Sequence, residues 1–104
     1  MVVQVRGPLT VNERDVGIRR AIRTALQDGV RGFVINLQDL TSIDSSGVAE
    51  IATSYTTVAH QGGRLAICNV SAKLKEIFIV TRLNTVFETY DTEAGAIAAL
   101  GAQT

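Results

Sequence analysis

The residues of this chain best placed to do chemistry are two adjacent hydroxyls between a carboxylate and a glycine, Asp44-Ser45-Ser46-Gly47. A serine can attack as a nucleophile, or it can accept a phosphoryl group. Attack needs a base within hydrogen-bond reach. The only histidine is His60. On a continuous helix rising ~1.5 Å per residue it would stand about 20 Å from Ser46. One His and one Cys make no zinc set. The chain has neither a Gly-rich loop ending in Lys-Ser/Thr nor a Gly-x-Gly-x-x-Gly. Cys68 follows Leu65-Ala66-Ile67 and reads as a small buried hydrophobe, not a redox centre. No cofactor is expected, and enzyme activity has little support.

A phosphoryl acceptor is a different matter. The pattern after Ser45 is helical, so the serines fall where backbone N–H groups have no intrahelical partner and an anion is tolerated. A phosphate on Ser45 would carry about −1.5 to −2 charges. The helix dipole would favour it by ~0.3–1 kcal/mol. Asp44 would oppose it by a similar amount. Such a group would leave the fold standing and change what can dock there, since a like-charge contact across an interface costs several kcal/mol. Taken alone, the residues read more simply as a helix cap, with Gly47 permitting close packing.

The same helix supplies a second clue. Its outward positions are expected to be Ala49, Glu50, Thr53, Ser54, Thr56 and Thr57, and only Glu50 is charged. Solvent-facing helices usually carry more charge and fewer threonines. A small, nearly uncharged face suits a docking surface, and tolerated Ser/Thr substitution explains it equally well. The partner-binding surface expected here comprises Asp44, Ser45, Ser46, Gly47, Ala49, Glu50 and Thr53. Ser45 is the expected phosphorylation site and Ser46 the second choice.

The elements that must position this spot alternate along the chain. Val2, Val3 and Val5 read as a strand ended by Gly7-Pro8. A helix is expected from an Asn12 cap, with Glu13 and Asp15 in its first turn. Val11, Ile18, Ile22, Ala25 and Leu26 form its apolar stripe, and Gly29 ends it. Arg19, Arg20 and Arg23 lie off the stripe, on what reads as a solvated face. Gly32–Leu37 is an unbroken apolar run, hence a covered, central strand. The helix from Ser46 carries Val48, Ile51, Ala52, Tyr55 and Ala59 inward, and Gly62-Gly63 closes it.

"RLAICNV" is the third strand. A helix capped by Ser71 turns Leu74, Ile77 and Phe78 inward. "TVFETY" is the fourth strand. Asp91-Thr92 caps a last helix with Ala94, Ile97, Ala98 and Leu100 on one side. The order β-α-β-α-β-α-β-α predicts an α/β fold with a mostly parallel four-stranded sheet. It places Asp44–Gly47 at the carboxyl end of a parallel strand, where function concentrates in such sheets.

Bulk properties agree. A chain of 104 residues, 46% hydrophobic and 19% charged, reads as one globular domain spanning 1–104. Lys+Arg and Asp+Glu number ten each, which argues against duplex nucleic acid or an anionic membrane as partner. One cysteine suits a reducing cytoplasm. No signal-peptide pattern and no run of ~18 apolar residues is present.

"VINLQDLTSIDSSGVAEI" resembles the core signature of STAS domains (sulphate transporter and anti-sigma factor antagonist), in particular bacterial anti-sigma factor antagonists. The likeness extends through "VRGPLT", "HQGGRLAICNVSAKLKEIF" and "VFETYDTEAGAIAAL". It implies a STAS fold and a partner switch. In such proteins the serine after the aspartate, here Ser45, is phosphorylated by a partner that is both anti-sigma factor and serine kinase. The unphosphorylated form binds that partner and frees the sigma factor. The phosphorylated form lets go, and a serine phosphatase resets it. ATP belongs to the kinase.

Two departures from the family pattern stand out. The family's Gly-Glu-Leu-Asp turn is here Gly7-Pro8-Leu9-Thr10, without the acidic pair. The family's first strand, before "VQVRG", is expected to be missing or shortened, which would leave a sheet edge near Val2–Val5 open to a homodimer. Two rival roles are a STAS scaffold subunit in a multiprotein stress-signalling complex and a transporter-associated STAS subunit.

Overall fold

The computed structural model describes residues 1–9 and 17–101. In chain order the elements are β1 (Val2–Gln4), β2 (Gly7–Leu9), α1 (Gly17–Gln27), β3 (Gly32–Asn36), β4 (Leu40–Ile43), α2 (Ser45–His60), β5 (Arg64–Cys68), α3 (Ala72–Val80), a 3-10 turn (Leu83–Thr85), β6 (Glu88–Tyr90) and α4 (Glu93–Gly101). The main sheet runs β1-β3-β5-β6 and every pairing in it is parallel. The α/β alternation expected from the sequence is therefore present. The Asn12 cap, Glu13, Asp15 and Val11 lie outside the described residues, as does Thr10.

Side chains on a strand alternate between faces, and the two faces here meet different partners. Phe33, Ile35, Leu65 and Ile67 share a core with Ile18 and Ile22 of α1, Ile51 and Val58 of α2, and Leu74 and Phe78 of α3. Val34, Ala66 and Cys68 meet Ala96 of α4 on the other side. A strand covered on both faces must be apolar at successive positions, which is why Gly32–Leu37 and Leu65–Cys68 show no polar alternation. Burial pushes the Cys68 thiol pKa up, with a smaller contribution from the Glu93 carboxylate.

The sequence reading misses one feature of the topology. β2 pairs in parallel with β4 as a separate two-stranded unit, with a register shift between Gly7 and Pro8. Gly7-Pro8, expected to end the first strand, instead opens β2; β1 already stops at Gln4. Proline lacks the ladder N–H and belongs at such an irregularity. The link from β3 to β4 is a tight turn. The Asn36 side-chain oxygen accepts from Gln38 N at 2.9 Å, and Leu37 O accepts from Leu40 N at 3.2 Å.

Two further expectations need correction. The inward face of α4 is built on Ala96, while Ala94 and Ala98 are exposed and Ile97 is 48% exposed. "EAGAIAALG" is small or apolar all round, so no polar stripe marks its outer side. The fourth strand is only Glu88–Tyr90; Thr85 belongs to the 3-10 turn. Phe87 enters the core between Phe78 and Tyr55, at ring-centroid distances of 5.3 and 5.5 Å.

Candidate functional site

β4 delivers the chain to Asp44, which caps α2. Its backbone is extended (φ −117°, ψ −172°), and its Oδ1 accepts the Gly47 N–H at 3.0 Å. Its carbonyl accepts from Val48 N at 3.0 Å. A carboxylate at this position satisfies one of the orphan donors and complements the positive helix end. The strand feeding the motif is β4 of the small pair, not β3 of the main sheet. The motif still follows the carboxyl end of a parallel strand, as expected.

The cap sorts the motif's side chains. Ser45, the first residue of α2, is exposed; Ser46 is half-buried; Gly47 is buried. Ala49 and Thr53 face solvent. Thr56 and Thr57 donate their hydroxyls to the carbonyls of Ala52 and Thr53, at 3.0 and 2.9 Å. That back-bonding satisfies the hydroxyls without a charged partner.

The outward placement of Glu50 and Ser54 is overturned. Glu50 is only 5% exposed and Ser54 1%. The cause is α1, which packs along this side of α2. Arg19 reaches across, and its Nε lies 2.9 Å from Glu50 Oε2. A carboxylate is buried at this depth only with a cation beside it. Glu50 thus holds two helices together and offers no surface to a partner. Ala59, expected inward, is exposed.

The structure adds a groove that the sequence reading does not assemble. Ile43, Asp44, Ser45, Val48, Ala49, Ala52, Ile77, Thr81 and Leu83 enclose an open hollow of about 410 Å³ between α2 and the α3–3-10 segment. Its walls are almost wholly apolar, and Ser45 stands on its rim. Val48 and Ala52 fit the helical stripe read as core, and here they line the groove half-buried. Ile77 is likewise half-buried, and Thr81 and Leu83 carry no sequence signal for a site. No base other than the capping Asp44 carboxylate stands among these walls, and His60 sits at the far end of α2. Among the described residues no group of three His, Cys, Asp or Glu side chains could hold a metal. No helix among them is long and apolar enough to cross a membrane.

Comparison with known proteins gives a consistent picture. The family model described as the STAS domain matches residues 1–96. An anti-sigma F factor antagonist of Paenibacillus polymyxa is 27% identical over 101 residues, covering 96% of this chain and 86% of the relative. The anti-sigma factor antagonist SpoIIAA in its unphosphorylated form superposes with a TM-score of 0.73 at 27% identity, covering 94% of this chain and 86% of that one. The phosphorylated form of the Bacillus protein SpoIIAA gives 0.71 at 27% identity, covering 94% and 87%. The protein TM1081 of Thermotoga maritima has a TM-score of 0.82 at 20% identity over 95% of this chain and 79% of its own, a likeness of fold.

Proposed function

This chain belongs to the STAS-domain family, and from that premise we propose that it is an anti-sigma factor antagonist switched by phosphorylation of Ser45. The unphosphorylated protein docks on an anti-sigma factor that is also a serine kinase, and the sigma factor is released. Phosphoryl transfer to Ser45, with ATP held by the kinase, ends the contact. A serine phosphatase restores the free hydroxyl. The chain itself is a binding module and a kinase substrate, working in the cytoplasm, and carries out no catalysis.

The observation that carries this reading is the position of the Ser45 hydroxyl, exposed at the start of α2 on the rim of an apolar groove. In the free protein a phosphate there stays in water, and the helix start tolerates it at ~0.3–1 kcal/mol in its favour. In a complex the groove is covered, and the dianion must lose water against apolar walls. Removing a charge from water without a partner costs several kcal/mol. The same modification is therefore mild for the fold and severe for docking. The surface that takes part is Ser45, Ser46, Ala49 and Thr53 with the groove, framed by Asp44 and Gly47.

The test is intact mass after incubation with ATP and the cognate anti-sigma kinase. Wild type and Ser46→Ala should each gain one phosphate, and Ser45→Ala none. Ser45→Asp should bind the kinase more weakly than wild type. A chain that is neither modified nor bound by its cognate kinase is no antagonist of this kind.

A further inference from the structure

We propose that the arginine-lined hollow on α1, remote from Ser45 in sequence, is a binding site for a phosphoryl dianion. Arg19, Arg20, Arg23, Thr24 and Gln27 enclose about 320 Å³ of open space. Three guanidinium groups lining one hollow make it electropositive. One compensating charge is present inside the fold, where Glu50 meets Arg19. Among the described residues neither Arg20 nor Arg23 makes an ion pair. Both side chains line the hollow. Arginine forks match the oxygens of a phosphoryl group, and a phosphoryl near neutral pH carries about −1.5 to −2 charges.

A second observation comes from beneath the hollow. Arg19, Ile22, Arg23, Ser54 and Thr57 line a smaller space of about 10 Å³. Ser54 Oγ is buried there without a hydrogen-bond partner among the described residues. Leaving a buried hydroxyl unpaired is unfavourable. The space holds about one water molecule. A water there would accept a hydrogen bond from Ser54 Oγ and donate onward to the anion held by Arg23. Glu50 fixes Arg19 from below, so one fork is already positioned before a ligand arrives.

The experiment is an NMR titration of the full chain with inorganic phosphate at constant ionic strength, made up with chloride. Saturable shifts are expected at the arginine side chains and at the Thr24 amide. The variant carrying both Arg20→Gln and Arg23→Gln should weaken binding on the order of tenfold or more. Ser54→Ala should weaken it a few-fold through loss of the bridging water. Ser45→Ala should leave it unchanged, which separates this site from the start of α2. A phosphate monoester such as phosphoserine, run in parallel, tells whether the dianion is taken free or as part of a larger ligand. Shifts that rise linearly without saturation, or that persist in the double variant with its fold intact by circular dichroism, would overturn the proposal.

Discussion

Asp44 Oδ1 and the backbone nitrogen of Gly47 stand 3.0 Å apart, closing a short bridge over Ser45 and Ser46. The bridge turns Ser45 outward and Gly47 inward, and so decides which of two neighbouring hydroxyls is open to solvent. Asp44→Ala removes the acceptor and should lower stability by about 1 kcal/mol, read as a lower urea midpoint. Asparagine caps equally well, so Asp44→Asn should stay within a few tenths of a kcal/mol of wild type.

Arg19 and Glu50 couple α1 to α2. Arg19→Ala strands a buried carboxylate and should cost about 1–3 kcal/mol in urea unfolding with an unchanged slope. Replacing both residues by leucine should recover much of that loss, because the desolvation of both charges then disappears with the pair. A double variant no more stable than Arg19→Ala would show that packing, not charge, holds the helices together.

Ala49 is exposed and stands at the groove wall beside Ser45. Ala49→Arg should fill the mouth of the groove without touching the core. Stability should stay within about 0.5 kcal/mol, as for other surface changes. Affinity for the proposed anti-sigma partner should fall on the order of tenfold, measured by calorimetry. Unchanged affinity would place the docking surface elsewhere.

Arg64 grips Glu88 with two nitrogens, one of them at 2.6 Å from Oε2, and donates to Ala99 O at 3.1 Å. β5, β6 and α4 are joined at this point. The hydrogen bond from Arg64 holds the Glu88 carboxyl below its usual range, against the opposing effect of burial. A depressed carboxyl stabilises the fold above the unfolded-state value of about 4.3 and loses that contribution as pH falls through the folded value. Wild type should therefore exceed Glu88→Gln in urea midpoint near neutrality, and the two should converge in acid. A gap that persists below the folded value would rule out the charge as its source.

The amino-acid sequence by itself determined the alternating α/β order, the central strands and the capped serine pair at the start of α2. Each rests on local signals. Gly32–Leu37 is apolar at consecutive positions, Asp44 and Ser71 are caps, and Gly29 takes a positive φ of 91° where α1 ends. Three other features were decided only by tertiary structure. Gly7–Leu9 is too short, and too rich in glycine and proline, to announce a strand; it exists because β4 lies beside it.

Glu50 looked like surface because its own helix cannot say where α1 packs, and the crossing of two helices depends on all their facing side chains at once. The groove likewise joins Val48 and Ala52 to Ile77 and Leu83, some thirty residues apart in the chain. Periodicity along one helix can mark an apolar face, but only the packed neighbours determine whether that face is covered or left open to a partner.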